Sequence, residues 1–292
     1  MTRHPDTSSA DTLDSLRREI DRVDDALHDL LMQRAILSAK VRKTKQTDRH
    51  ELVLAYRPAR EAAMLRRLRA RHHGDLPFAA IARIWREIIA SSTQLQSPYG
   101  LYICGGANML AVHDIGRFYY GAMARIHVHD NPRAVIDAVA ADPSGLGLLP
   151  APEPRSDPWW PHMQDRWKRD FGIIAGLPFF RKTASPPATP TILVIAHAPF
   201  EPSGDDTTLV VLGTDQSLSA GDIDRRIGAS GLAGHILQET TGQGKTGARR
   251  ILLALAGCLH ADDPALGAMI RTGETMTILG GYANPIIEGD AT

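Results

Sequence analysis

The first hundred residues carry a set of polar side chains suited to holding a small dianion. They are Arg17, Arg34 and Lys45, then Arg57, Arg60 and Glu61, then Ser92 and Gln96. Guanidinium groups bind carboxylates through paired donors, and a lysine adds a compact point charge. A glutamate can accept from a ligand hydroxyl. Ser92 and Gln96 are four residues apart, so on a helix they share a face. Each group also has an ordinary reading. A single arginine on an amphipathic helix is usually a solvated charge, Arg60–Glu61 can be surface decoration, and Ser92–Gln96 a solvent stripe. From the residues alone, a dianion site and a solvated surface both stay open.

The elements that must position these groups read clearly. Residues 13–45 form the pattern of one helix of about nine turns. Leu13, Leu16, Ile20, Val23, Leu27, Leu30, Leu31, Leu37 and Val41 recur at helical spacing, with no Gly or Pro between them. Asp11 or Thr12 is placed to cap it. At ~100° per residue, Arg34 and Lys45 lie within about 20° of one face, while Arg17 points about 100° away from Arg34. One straight helix cannot easily aim all three at one pocket; two copies, each reaching past the other, could. Residues 46–56 read as a loop. Arg57-Pro58 starts a second helix, since Pro suits the first helical turn, and it stops near Gly74. Asp75-Leu76-Pro77 opens a third, with apolar Phe78, Ile81, Ile84, Trp85, Ile88 and Ile89. Residues 97–100 have the chemistry of a linker.

Residues 13–96 resemble the all-helical chorismate mutases, the type often fused to prephenate dehydratase or prephenate dehydrogenase. The resemblance rests on LDSLRREIDRVDDALHDLLMQRAILSAKVRKTK, on YRPAREAAMLRRL and on IWREIIASSTQLQ, where the separations of several polar residues agree as well as the apolar period. It implies a three-helix domain forming an intertwined dimer, with each long helix serving two active sites. It also implies the roles. Arg17 from the partner subunit and Arg34 from its own bind the substrate carboxylates. Lys45 and Gln96 hydrogen-bond the ether oxygen from opposite sides. Arg60 orients the site, Glu61 accepts from the ring hydroxyl, and Ser92 contacts the ring carboxylate. Arg57 departs from members that carry Asp there; it could favour a dianion or pair with Glu61. Chorismate is the implied substrate, no cofactor or metal is needed, and a homodimer is the implied assembly. Helical mutase folds also include isochorismate pyruvate-lyases and aminodeoxychorismate mutases; Glu61 leans toward chorismate.

From residue 101 short apolar strands alternate with helices, the texture of an α/β layer. Residues 151–165, with two tryptophans and several prolines, resist assignment. From residue 207 the order strand, helix, strand, strand, helix, strand is ferredoxin-like. This part resembles a reduced prephenate dehydratase followed by an ACT-like regulatory domain, through Gly147-Leu148-Leu149-Pro150 and TMTILGGYANP at 275–285. The resemblance also shows what is missing. The dehydratase family needs Thr-Arg-Phe; the nearest stretch is Thr207-Thr208-Leu209, with Thr in place of Arg, and it could instead be the first ACT-like strand. Residues 101–206 are too short for both dehydratase lobes. The effector motifs of ACT domains do not appear at SLSAGDID or at Gln238-Glu239-Thr240-Thr241. No dehydratase activity is expected.

The expected organisation is therefore multidomain: a disordered tail at 1–10, an all-α mutase domain at 11–97, a dehydratase-like α/β region at 101–202 and an ACT-like α+β domain at 203–292. A bifunctional mutase–dehydratase and a non-catalytic scaffold for aromatic-pathway enzymes are the alternatives. Lys plus Arg equals Asp plus Glu at 33 each, so net charge gives no case for nucleic acid or a membrane surface. No apolar run reaches the roughly 20 residues of a membrane span. The start lacks the apolar run of a signal peptide. Cys104 and Cys258 have no partner spacing for a metal or a disulfide framework, which fits the cytoplasm. His127, His129 and His197 read as core or surface residues, and Gly242 to Gly247 as a flexible turn without phosphate-loop spacing.

Overall fold

The computed structural model describes residues 12–48, 55–121, 123–166, 170–181, 191–241 and 249–287. The expected tail at 1–10, most of the 46–56 loop and the turn at 242–247 lie outside them. The chain divides into two compact units, Met1–Glu51 and Leu52–Thr292. The division falls inside the helical span rather than at residue 97.

In the first unit one helix is described, α1 (Leu13–Asp48). Thr12 caps it: its Oγ1 accepts from Ser15 N at 3.3 Å. The apolar stripe expected from the sequence is exposed along its length, with Ile20 59%, Leu30 60% and Leu37 60% accessible.

The second unit opens with α2 (Pro58–Ala70) and α3 (Phe78–Gln96). Pro58 sits in the first turn of α2, as its fixed φ allows. There follow β1 (Gly100–Ile103), α4 (Met109–Tyr120), β2 (Arg125–Val128), α5 (Pro132–Ala141), β3 (Leu146–Pro150), α6 (Trp160–Arg166), β4 (Gly172–Leu177), β5 (Phe180–Arg181) and β6 (Ile192–Ala196). The last part runs β7 (Asp206–Thr214), α7 (Ala220–Ala229), β8 (Gly234–Thr241), β9 (Arg249–Ala256), α8 (Pro264–Met269), β10 (Thr275–Ala283) and β11 (Ile286–Ile287). Helix α6 lies in the stretch that resisted assignment.

Nine strands form one sheet in the order β2-β1-β3-β6-β4-β10-β7-β9-β8. The spans 101–202 and 203–292 therefore share a single sheet, and β7 opens the expected ferredoxin-like order. The strands β3, β4 and β6 are buried on both faces, as continuous apolar runs require. On β6 the alternation is visible: Val194 and Ala196 meet the core under α2, α3 and α4, while Leu193 and Ile195 meet the core under α5 and α6. A third core packs α7 and α8 against Val210 and Leu212 of β7 and alternate residues of β9.

The seam between the two halves is at Gly280. There β10 leaves its antiparallel register with β7 through a bulge and pairs in parallel with Ile173 of β4. Gly280 has φ +114, and a Cβ on it would lie 2.0 Å from Ile173 O. Only glycine fits that close approach. The supposed linker at 97–100 is also ordered: Gln94 exchanges bonds of 3.3 Å with the backbone of buried Tyr99, and Gly100 already belongs to β1.

Candidate functional site

The seven expected site residues divide between the units. Arg17, Arg34 and Lys45 stand on α1. Arg17 is exposed and lies 3.6 Å from Asp14 one turn back. At 1.5 Å rise per residue, Arg17 and Arg34 are ~26 Å apart along the axis, and Arg34 and Lys45 ~16 Å. The two arginines also leave the helix about 100° apart, so the axial gap and the angle both separate them. Lys45 is helical, and its side chain lies outside the described set.

The other four are in the second unit. Arg60 and Glu61 occupy the first turn of α2; Ser92 and Gln96 lie in the last turns of α3. Arg60 is exposed. Ser92 is half-buried and its hydroxyl donates to Ile88 O at 2.7 Å, the back-bond usual for a helical serine. Gln96 is half-buried.

Glu61 is buried and receives a short hydrogen bond from Arg86 of α3. The Arg86 guanidinium lies 4.6 Å from the centre of the Tyr119 ring. Burial works against its charge; Glu61, then the hydroxyls of Tyr56, Tyr119 and Tyr120, more than offset that, so its pKa is raised. Around the pair sits a closed set of phenols. The Tyr120 hydroxyl donates to that of Tyr56 at 3.2 Å, and Tyr99 donates to Tyr120 O at 3.1 Å. Burial pushes the pKa values of Tyr56, Tyr99 and Tyr120 well up, so these phenols stay neutral. Periodicity gave no sign of Arg86, because it reads as one more helix arginine.

Arg57 does not pair with Glu61. Its Nε donates to Glu201 Oε2 at 2.6 Å, and a second bond makes the contact bidentate. Arg66 adds to this anchor of α2, donating at 2.9 Å to Ser203 O, Asp205 O and Asn284 O. Both arginines tie α2 to the loop between β6 and β7, and neither tie was visible in the sequence.

A cavity of about 530 Å³ opens where β3 ends, lined by Asn108, Asn131, Arg133, Glu153 and Trp159 among others. The carboxyl ends of parallel strands are a common ligand position. Two of its polar groups are engaged locally. Asn131 Oδ1 caps α5 by accepting from Ala134 N at 3.0 Å, and Arg133 lies 4.0 Å from Asp157. Thr208, which stands where the dehydratase motif has its arginine, is fully buried in β7. Its hydroxyl donates to Gly257 O at 2.6 Å and accepts from Leu259 N at 2.9 Å. The histidines have local contacts: His127 stacks on Tyr102 with centroids 5.0 Å apart, and His197 Nε2 lies 3.1 Å from Val139 O. Cys104 and Cys258 are free thiols, and burial pushes both up to about 11, far from an activated nucleophile. Among the described residues no group of three His, Cys, Asp or Glu could hold a metal, and no helix is long and apolar enough to cross a membrane.

Residues 16–97 match the family described as Chorismate mutase type II. A curated relative, the bifunctional chorismate mutase/prephenate dehydratase of Stutzerimonas stutzeri, is 36% identical over 152 residues, covering 49% of this chain and 40% of the relative. That alignment is longer than residues 16–97, so likeness to the relative extends beyond the helical span. The chain spans about two fifths of the relative's length. Two solved structures are more distant. GqqA, described as a novel type of quorum quenching acylase, is 16% identical over 63% of this chain and 94% of its own, with a TM-score of 0.47. The prephenate dehydratase of Streptococcus mutans is 12% identical over 64% of this chain and 99% of its own, with a TM-score of 0.43.

Proposed function

We propose that this chain is a chorismate mutase that works as a homodimer, rearranging chorismate to prephenate for phenylalanine and tyrosine synthesis. The observation that carries this reading is the family match over residues 16–97, a stretch that contains Arg17, Arg34, Lys45, Arg60, Glu61, Ser92 and Gln96. The exposed apolar stripe of α1 supports dimerisation, since a run of that length is a surface that calls for cover. The ~26 Å between Arg17 and Arg34 supports a site shared between subunits.

The chemistry asks for what these residue types supply. The reaction is a concerted [3,3] shift with no covalent intermediate. The protein must hold the compact conformer of a dicarboxylate, an orientation effect that arginine pairs provide. It must also stabilise negative charge growing on the breaking ether oxygen, and Lys45 and Gln96 are the donors for it. Glu61 accepts from the ring hydroxyl once its bond to Arg86 opens. The dehydratase-like region is inactive in this reading, because Thr208 is consumed by the sheet and no arginine follows Thr207.

Two other readings each have an observation in their favour. Similarity to the bifunctional chorismate mutase/prephenate dehydratase of Stutzerimonas stutzeri favours a bifunctional mutase–dehydratase. The burial of Glu61 against Arg86 favours a non-catalytic scaffold. One experiment separates all three. Chorismate loss is followed by absorbance with wild type and Lys45→Ala, and product is assayed for phenylpyruvate without acid. The mutase reading expects turnover that falls by about 10²–10³-fold in the variant, by analogy with loss of an oxyanion donor, with prephenate accumulating. Phenylpyruvate made by the protein establishes the bifunctional reading. No turnover in wild type sinks both catalytic readings.

A further inference from the structure

A second cavity, of about 350 Å³, lies within the second unit between α2, α3 and α4. That volume is in the range of small-molecule sites. Leu65, Phe118, Tyr119 and Phe179 give it apolar and aromatic walls. The Tyr119 hydroxyl accepts from Phe179 N at 2.8 Å, which ties the Tyr119 ring to the backbone of Phe179. Among the described residues, the charged groups in the lining are Arg83 and Arg86. Arg86 is 5% exposed, so it is a buried cation facing a void. Glu61 engages its Nη1 and does not itself line the cavity. Arg83 is exposed at the rim, its guanidinium 5.8 Å from the Phe118 ring centre.

We propose that this cavity binds a small aromatic carboxylate. The ring packs among Leu65, Phe118 and Phe179, and the carboxylate meets Arg83 and Arg86. Glu61 balances the charge of Arg86, so Arg83 gives the described lining its net positive charge, which repels a cation and attracts an anion. Aromatic walls favour a ring over a flexible chain through edge and offset contacts. A guanidinium has five donors, so Arg86 can serve a second carboxylate beside Glu61. Because Arg86 is shared, occupancy weakens its hold on Glu61. That link to turnover rests on the mutase reading; the binding does not.

The test is titration calorimetry on the full chain with 3-phenylpropanoate, hexanoate and 3-phenylpropan-1-ol. The first should bind once per chain. The second lacks the ring and the third the charge, and each should bind at least roughly tenfold more weakly. Arg83→Met should weaken 3-phenylpropanoate by roughly tenfold. Ala80→Leu, which projects into the cavity, should abolish binding. Thermal melts check that both variants fold. Absence of binding at millimolar 3-phenylpropanoate, or equal binding by folded Ala80→Leu, overturns the site. Binding by a chain that does not consume chorismate upholds the site and sinks the mutase reading. Turnover without binding does the reverse.

Discussion

Glu61 of α2 and Arg86 of α3 face each other as an ion pair inside the protein, with 7% and 5% of their surfaces exposed. Such a pair adds little net stability over an apolar replacement, yet removing one partner strands the other charge. Arg86→Met alone should therefore destabilise the second unit by roughly 3–5 kcal/mol. Adding Glu61→Leu should restore most of that loss. Urea unfolding of the two single variants and the double variant measures the coupling; strict additivity would show that the pair is not formed.

If Arg17 crosses between subunits, two crippled variants can repair each other. In a mixed dimer of Arg17→Ala and Arg34→Ala chains, one site loses both arginines and the other keeps both. With random exchange half of the dimers are mixed, so about a quarter of wild-type sites return. The check is chorismate turnover before and after co-refolding the two chains. Activity that stays at the level of the separate variants assigns both arginines to one subunit's site.

Gly280→Ala should damage the sheet at its seam. The position has φ +114 and a backbone oxygen 2.0 Å from any Cβ. Left-handed strain alone costs roughly 1–3 kcal/mol, and separating β10 from β4 adds to it. Hydrogen exchange at position 280 and at Ile173 should rise ahead of exchange at the β7–β9 pairs. An alanine variant as stable as wild type would show that β10 does not approach β4 this closely.

Glu274 gives a stability term with a defined pH window. Burial would raise its pKa, but bonds from Arg226 at 2.8 Å, Arg271 N at 2.9 Å and Thr214 at 3.2 Å hold it below its ordinary 4.5. A carboxyl depressed on folding stabilises fully above its unfolded value and loses that contribution as pH falls through the folded one. Its side chain is 1% exposed against 14% for Arg226, so Glu274→Gln should lower stability at pH 7. The gap between wild type and variant should close as pH drops below 4.5. Melting curves from pH 7 to pH 3 read it directly, and a gap independent of pH would place the cost elsewhere than in the charge.

Local rules carried the helices and strands. Uninterrupted 3.6-residue spacing gave α1, Pro58 gave the start of α2, and continuous apolar runs gave β3, β4 and β6. What escaped was the pairing of distant parts. Arg57 finds Glu201 across 144 positions, and many glutamates could have been its partner. Arg86 and Glu61 are 25 positions apart on different helices, and only the angle between those helices brings them together. Helix α4 mixes histidine, aspartate and three aromatics, so its periodicity is weak even though Val112, Gly116, Tyr119 and Tyr120 form its buried face. Gly280 shows as one of a glycine pair in a strand, a sign of close backbone approach; the strand it would approach was not legible.

The place of β10 in the strand order has a consequence for how the chain is made. It is synthesised after all eight other strands of the sheet, yet it stands between β4 and β7. On the ribosome the earlier strands can form only two separate half-sheets, each with a bare inner edge. Those two edges belong to strands that end up buried and apolar, so a stalled or truncated nascent chain presents two open templates for pairing with a neighbour. The bulge that bends β10 at Gly280 is then the closing clasp of biosynthesis: the nascent sheet is exposed to misassembly until that strand is released, and is sealed on both sides in one step when it arrives.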